Sequence, residues 1–411
     1  MMMQNAAATQ EADAIVAQIL DPKTDGSRDP LYARLREIAP VHRSSHPLLP
    51  GWYLVSGYQN GLKVLMADVA EQNSQMLAAM NVEDDGVHDT MMRRWFGFRE
   101  TTEEHDRIRK FLAPYFTVRA MANLRSEVQT LIGNLLDKIG DKKEFDVFSE
   151  FCFPLPSMVI ARLLGIPMHE LDGFQQLMEE RAAMTARRQV LDSEARARRD
   201  EIAGKFLTLF GKYLDLRRTQ PAEDLISRTG AAAPDAGISD EDLLAQYVFM
   251  LIAGHSTTSD AISNALIALD QNPDQRQMMI DGKVDLKQAA DELIRFDSSI
   301  ESATRYIKED LAIDGVTIPA GSKTIVLMHS AHRDPGKFAA PDRLDLTRTN
   351  ASDAFPFGRG RYFCLGQPLA KIEVEEAVKA ILERYPHYRV KEIDWLGSFI
   401  SHGPRRLILS V

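Results

Sequence analysis

Cys364 stands in FPFGRGRYFCLGQPLAK, residues 355–371, with Gly358 and Gly360 before it and Gly366 after it. The glycines let the backbone turn tightly and approach something flat, and a helix begins near Gln367 with Pro368 in its first turn. Cys364 therefore falls at a helix N-terminus, where the free amides of Gly366 and Gln367 favour a thiolate and moderate its electron donation. A lone thiolate without partner Cys or His is a poor zinc site. It suffices for a heme iron, whose in-plane ligands come from the porphyrin. The competing reading is a small apolar side chain buried in a glycine-rich turn.

AGHSTTSD, residues 253–260, poses a second chemical question, because it interrupts an otherwise apolar helical stretch with glycine and adjacent hydroxyls. These are poor helix formers, but hydroxyls that bond back to the helix bend it and admit water. Close packing against another helix would explain the small residues equally well. Other spacings set charges on one helical face: Glu292 and Arg295 three apart in DELIRFD, His105 and Arg109 four apart in HDRIRKF. The first suits an ion pair and the second could donate to carboxylates; both could also be solvated surface.

These residues need a scaffold, and the chain is long enough to supply one: 411 residues, 45% hydrophobic. Its 49 basic and 59 acidic residues, net charge −10, argue against a nucleic-acid binder. Two cysteines argue against a disulfide framework and for a reducing compartment. No apolar run is long enough for a membrane span, and the first residues carry no secretory pattern, so the expectation is a cytoplasmic protein with no membrane contact. Residues 1–12 lack periodicity and read as a disordered tail ahead of a single domain, 13–411. DPLYARLREIAP reads as a helix ended by Pro40, and GWYLVSGYQNGLKVLMAD as a strand, a turn and a helix. Residues 68–98, with Met76, Met80, Met91 and Met92, read as a loop with an adaptable apolar surface. Helix follows helix to Leu216, FPLPSMVIARLLGIP being a buried one, and Ser239 with Asp242 caps the long helix. Strand signals return in DLAIDGVTIPAGSKTIVLM and RRLILSV. The class is mainly α with a small β portion.

Phe357, Gly360, Cys364 and Gly366 fall in register on the heme-binding signature of the cytochrome P-450 family, which the chain resembles from about residue 28 to its end. Glu292 and Arg295 match that family's structural Glu-x-x-Arg pair. The resemblance implies a triangular, helical heme-thiolate domain with heme b, its iron ligated by Cys364. It also implies heme contacts from Ala253, Phe357 and Gly366 and propionate contacts from His105, Arg109 and Arg305. Bacterial members usually carry His or Arg two residues before the cysteine; here Tyr362 stands there, able to donate one hydrogen bond without charge, with Arg361 next to it. In the long helix Ala253 and Gly254 match the small residues and Thr257 the threonine that stabilises bound oxygen and relays protons. Ser256 stands where Asp or Glu is usual, and His255 is rotated about 100° from it on a helix.

By the same resemblance Ile300, Glu301 and Ile400, with Phe399 and the Met-rich segment, line a substrate pocket. A buried Glu301 would favour a cationic or hydroxylated ligand, whereas an exposed one would face solvent. Arg107, Lys110, Arg119 and Arg359 suit docking of an acidic electron-transfer protein. The implied activity is a monooxygenase inserting one atom of O2 into a small, largely apolar substrate. Its electrons come from NAD(P)H through a ferredoxin-type donor and its reductase, and the chain is a monomer. Peroxide-driven, coupling or rearranging chemistry on the same fold, or a non-catalytic heme sensor, are the alternatives.

Overall fold

The computed structural model describes residues 2–21, 28–72, 86–186, 192–395 and 401–411. Two compact units interleave along the chain: residues 1–72, 264–364 and 394–404 form one, and 73–263, 365–393 and 405–411 the other.

The first unit is built on a five-stranded sheet in the order Val41–Arg43, Tyr53–Val55, Lys323–Leu327, Ser302–Ile307, Ala70–Glu71. Its one parallel pairing sets Leu54 opposite Ile325; the others are antiparallel. On one side Val55, Val64, Leu65, Ile307, Val326 and Phe355 form a core. On the other, Leu54, Ile325 and Leu327 pack with Ala12, Ile15, Val16 and Ile19 of the first helix, Met2–Leu20. The opening residues are thus helical, not a tail, and Ala12 is fully buried. Its apolar positions 12, 15, 16 and 19 recur at helical spacing, and the alanine run before them extends the helix at low cost.

Helix Leu286–Phe296 in this unit carries Glu292 and Arg295, both with fully buried side chains. Arg295 grips Glu292 with Nε and Nη2 (2.7 and 2.9 Å), and its Nη1 donates to the carbonyls of His332 and Pro341. Glu292 Oε1 also accepts from the Asp345 amide and from Arg348 Nε. The pair is a buried staple on residues 332–348, not solvated surface.

The second unit is mainly helical. Helix Pro154–Leu164 is buried almost throughout, as its apolar composition requires. The long helix runs Asp240–Gln271, 32 residues, and begins where Ser239 Oγ accepts the Asp242 amide. Helix Gln367–Arg384 opens with Pro368 in its first turn. A three-stranded sheet orders Glu144–Asp146, Pro404–Ser410, Arg389–Trp395. Met91 lies in a short helix, Val87–Arg93, and is buried, so that part of the expected loop is ordered core; Met76 and Met80 lie outside the described residues.

Candidate active site

Between Phe249 and Ala261 most residues of the long helix are buried, but Phe249, Ala253, Gly254, Ser256, Thr257 and Ala261 are only half-buried. Apart from Gly254 these positions recur at helical spacing, so they make one stripe. The Thr257 hydroxyl donates to the Ala253 carbonyl at 2.7 Å, which fixes its proton and leaves its lone pairs to accept. His255 is on the other side, fully buried, its Nε2 2.8 Å from the Phe153 carbonyl and its ring edge-on to Phe153. Burial pulls its pKa down to about 4, so it stays neutral at pH 7 and cannot stand in for an acid at 256. Gly254 also differs from expectation: a Cβ there would meet Ile160 Cδ1 at 3.1 Å. Its smallness serves packing against helix Pro154–Leu164.

In the other unit, backbone bonds close the cysteine loop: the Cys364 amide donates to the Phe357 carbonyl (2.9 Å), Phe363 to Gly360, and Gly358 to Phe355. Gly360 has φ +71°, and a Cβ on it would lie 2.6 Å from the Leu65 carbonyl oxygen. Gly360→Ala should therefore cost about 1–3 kcal/mol, read as earlier thermal unfolding. Arg359 Nη2 donates to the carbonyls of Ser352, Asp353 and Ala354, bracing the approach to the loop. Cys364 is exposed, whereas Cys152 is buried and its thiol is pushed up to about 12 by burial. Only Cys364 has a reactive cysteine's setting.

Arg305, on strand Ser302–Ile307, is 3% exposed. Its Nη1 donates to its neighbour's carbonyl, Thr304, its guanidinium lies 5.1 Å over the Tyr362 ring, and its Nε is buried without a hydrogen bond. Burial lowers its pKa to about 10, which leaves it charged at pH 7, and no carboxylate among the described residues pairs with it. A buried cation in that state calls for an external anion. A heme propionate meets the need, so the residues fit heme on this test. The neighbours differ from expectation. Tyr362 supports Arg305 with its ring while its hydroxyl bonds the backbone at Gln72, and Arg361 lies 3.7 Å from exposed Asp68.

In the second unit His105 and Arg109 share a face of helix Thr102–Leu112; His105 is buried with Nδ1 2.9 Å from Asp106, and Arg109 is half-buried.

The pocket assignment changes at Glu301. It is buried, but its carboxylate accepts from the Tyr32 hydroxyl (3.2 Å) and faces Arg28 (3.5 Å) and His402 (3.9 Å). Its charge is met within the protein, so it does not select a cationic ligand. Ile300 is half-buried and bridges to Ser401; Phe399 and Ile400 lie outside the described residues. Arg107 is turned to the Gly237 carbonyl, while Lys110 and Arg119 are exposed. Sequence reasoning passed over Arg28, Tyr32 and His402, whose separation along the chain hides their meeting. It also passed over Asp260, whose signal was an acid inside an apolar helix.

The family model for cytochrome P450 matches residues 92–281 and 286–393. The chain belongs to the cytochrome P450 family. It is 32% identical to the cytochrome P450 monooxygenase PikC of Streptomyces venezuelae, over 92% of this chain and 89% of that one. It is 29% identical to the biotin biosynthesis cytochrome P450 of Bacillus subtilis (strain 168), over 89% and 90%. The crystal structure of P450BioI in complex with hexadec-9Z-enoic acid ligated acyl carrier protein superposes with a TM-score of 0.83 at 26% identity, covering 93% of this chain and 98% of that one. This cytochrome P450 is thus a heme b monooxygenase acting on a small organic substrate, with the mainly helical fold of its relatives. No helix of the described residues is long and apolar enough to cross a membrane.

Proposed function

We propose that Cys364 is the axial iron ligand of this cytochrome P450, that Arg305, His105 and Arg109 hold the heme propionates, and that Thr257 guides protons on the oxygen side. Phe357 and Gly366 complete the cysteine-side contacts and Ala253 the opposite face. The observation that carries this reading is the buried, charged Arg305 with no carboxylate partner among the described residues. Bound heme supplies the reductive activation of dioxygen and transfer of one oxygen atom to substrate. The chain's residues do the rest. Arg305 sits over the Tyr362 ring, so it presents a fixed cation to an anion. Thr257 Oγ1 accepts one proton and releases the one it otherwise donates to the Ala253 carbonyl.

The substrate is small and largely apolar, in keeping with Phe249 and Ala253 on the half-buried stripe. Electrons arrive from NAD(P)H through a ferredoxin-type donor and its reductase, with Lys110 and Arg119 as the exposed cations on offer. The protein works as a cytoplasmic monomer. The reduced carbon monoxide difference spectrum tests the reading: a thiolate-type band supports it, and its absence from the purified, heme-loaded protein would sink it. Thr257→Ala should keep that band and raise the peroxide released per NAD(P)H by roughly tenfold with surrogate redox partners. Unchanged peroxide would remove Thr257 from the proton path.

A further inference from the structure

Ser256 cannot ionise near neutral pH, yet each turnover of a monooxygenase consumes two protons and two electrons with O2, one oxygen atom going to substrate and the other to water. The long helix carries an acid one turn further on. Asp260 is 1% exposed, and its Oδ1 makes no hydrogen bond among the described residues. Its ion-pair partner is Arg405 of strand Pro404–Ser410, at 3.6 Å, with a side chain 28% exposed. A buried carboxylate is stable when paired closely and fully hydrogen-bonded, as Asp224 is with Arg217 at 2.5 Å in the same unit. Asp260 has neither. Burial raises its pKa to about 7, and Arg405 only partly opposes this.

The groups around Asp260 do not compete for its proton. Cys152, from the turn Phe148–Cys152, is held neutral by burial, and His255 is neutral on the same helix. The hydroxyls of Ser259 and Ser263 are spent on the carbonyls one turn back, those of His255 and Ser259. Asp146, which lies toward Cys152, is occupied by the amides of Phe148 and Leu407. Ser256 and Thr257, four and three residues back, share a helix face with Asp260, at the usual spacing of about 5–6 Å between Cβ atoms, which is wide enough for one water to span.

We propose that Asp260 is the acid that feeds protons to Ser256 and Thr257, with Arg405 at its solvent side, so that the family's acid has moved one helical turn. This rests on the reading of Thr257 given above. The carboxyl O–H bond breaks and its proton passes to the bridging water or to Ser256 Oγ. That oxygen releases its own proton to Thr257 Oγ1, and from there a proton reaches the oxygen being reduced by electrons from the ferredoxin-type donor. The Asp260 carboxylate, paired meanwhile with Arg405, recovers a proton from water that reaches the partly exposed Arg405 side chain. A carboxyl that titrates near the working pH does this in both directions.

Infrared difference titration of the heme-loaded enzyme should show a protonated carboxyl band that disappears as pH rises through neutrality and is missing in Asp260→Asn. With surrogate redox partners and no organic substrate, Asp260→Asn should slow NAD(P)H oxidation about tenfold and shift oxygen reduction from water to peroxide, with the carbon monoxide spectrum unchanged. Adding Ser256→Asp to that variant should restore the water share, which repair of a merely structural ion pair would not do. If Asp260→Asn fails to hold heme, Arg405→Gln decides: it should move the carboxyl titration to higher pH and slow turnover. An Asp260→Asn or Arg405→Gln enzyme that partitions oxygen like the parent, or a carboxyl ionised throughout, overturns the proposal. A parent without a thiolate-type carbon monoxide band overturns the underlying heme reading instead.

Discussion

Replacing Cys364 by serine is expected to abolish the thiolate-type band in the reduced carbon monoxide difference spectrum and reduce turnover to the background of free heme. The serine hydroxyl stays protonated at neutral pH, so it cannot supply the anionic ligand proposed for the iron. The loop should survive the change, because the Cys364 backbone amide, which serine keeps, closes it on the Phe357 carbonyl. Gly358 and Gly360 keep their left-handed conformations whichever side chain follows. A folded protein with altered heme absorption is therefore the predicted outcome, and circular dichroism beside the difference spectrum separates it from misfolding. Cys152→Ala is the control: its thiol is buried and neutral, so the band should persist. A band surviving in Cys364→Ser would assign the ligand elsewhere.

Glu292→Gln is expected to cost about 3–5 kcal/mol, a large part of the 5–15 kcal/mol typical of a folded domain. The carboxylate receives Arg295 through two bonds, Arg348 through a third and the Asp345 amide through a fourth. An amide in its place would leave two buried guanidiniums facing a neutral group. Arg295→Lys should be nearly as damaging, since an ammonium cannot span Glu292 and the carbonyls of His332 and Pro341 together. Urea unfolding followed by heme absorption and far-ultraviolet dichroism would measure both. A loss under about 1 kcal/mol would be the behaviour of a surface pair and would contradict the burial seen here.

What could be read in the sequence was local. The cysteine loop and the cap at Ser239 and Asp242 are written in residues close together, and the structure has both. Three-residue strands such as Val41–Arg43 and Glu144–Asp146 carry too little pattern of their own and are fixed by their partners. Glu301 could be read either way because Arg28 and Tyr32, which decide it, lie far away in the chain. Gly254 belongs to a motif read as making room beside the heme, and only the position of Ile160 shows that it serves helix packing. Asp260 was visible as a letter, but its meaning depends on burial and on Arg405 in the last strand.

The parallel pairing of Tyr53–Val55 with Lys323–Leu327 bears on how the chain is made. As synthesis proceeds from the N-terminus, Leu54 emerges long before Ile325, the residue it will face. Until then the strand can pair on one side only, with Val41–Arg43, leaving an open apolar edge. The contacts that complete this sheet are nonlocal, which slows folding and lengthens the time that edge is exposed. Expression yield should thus respond to translation rate and chaperone supply more than to changes in the heme residues, and truncation before Lys323 should leave the N-terminal segment prone to aggregate.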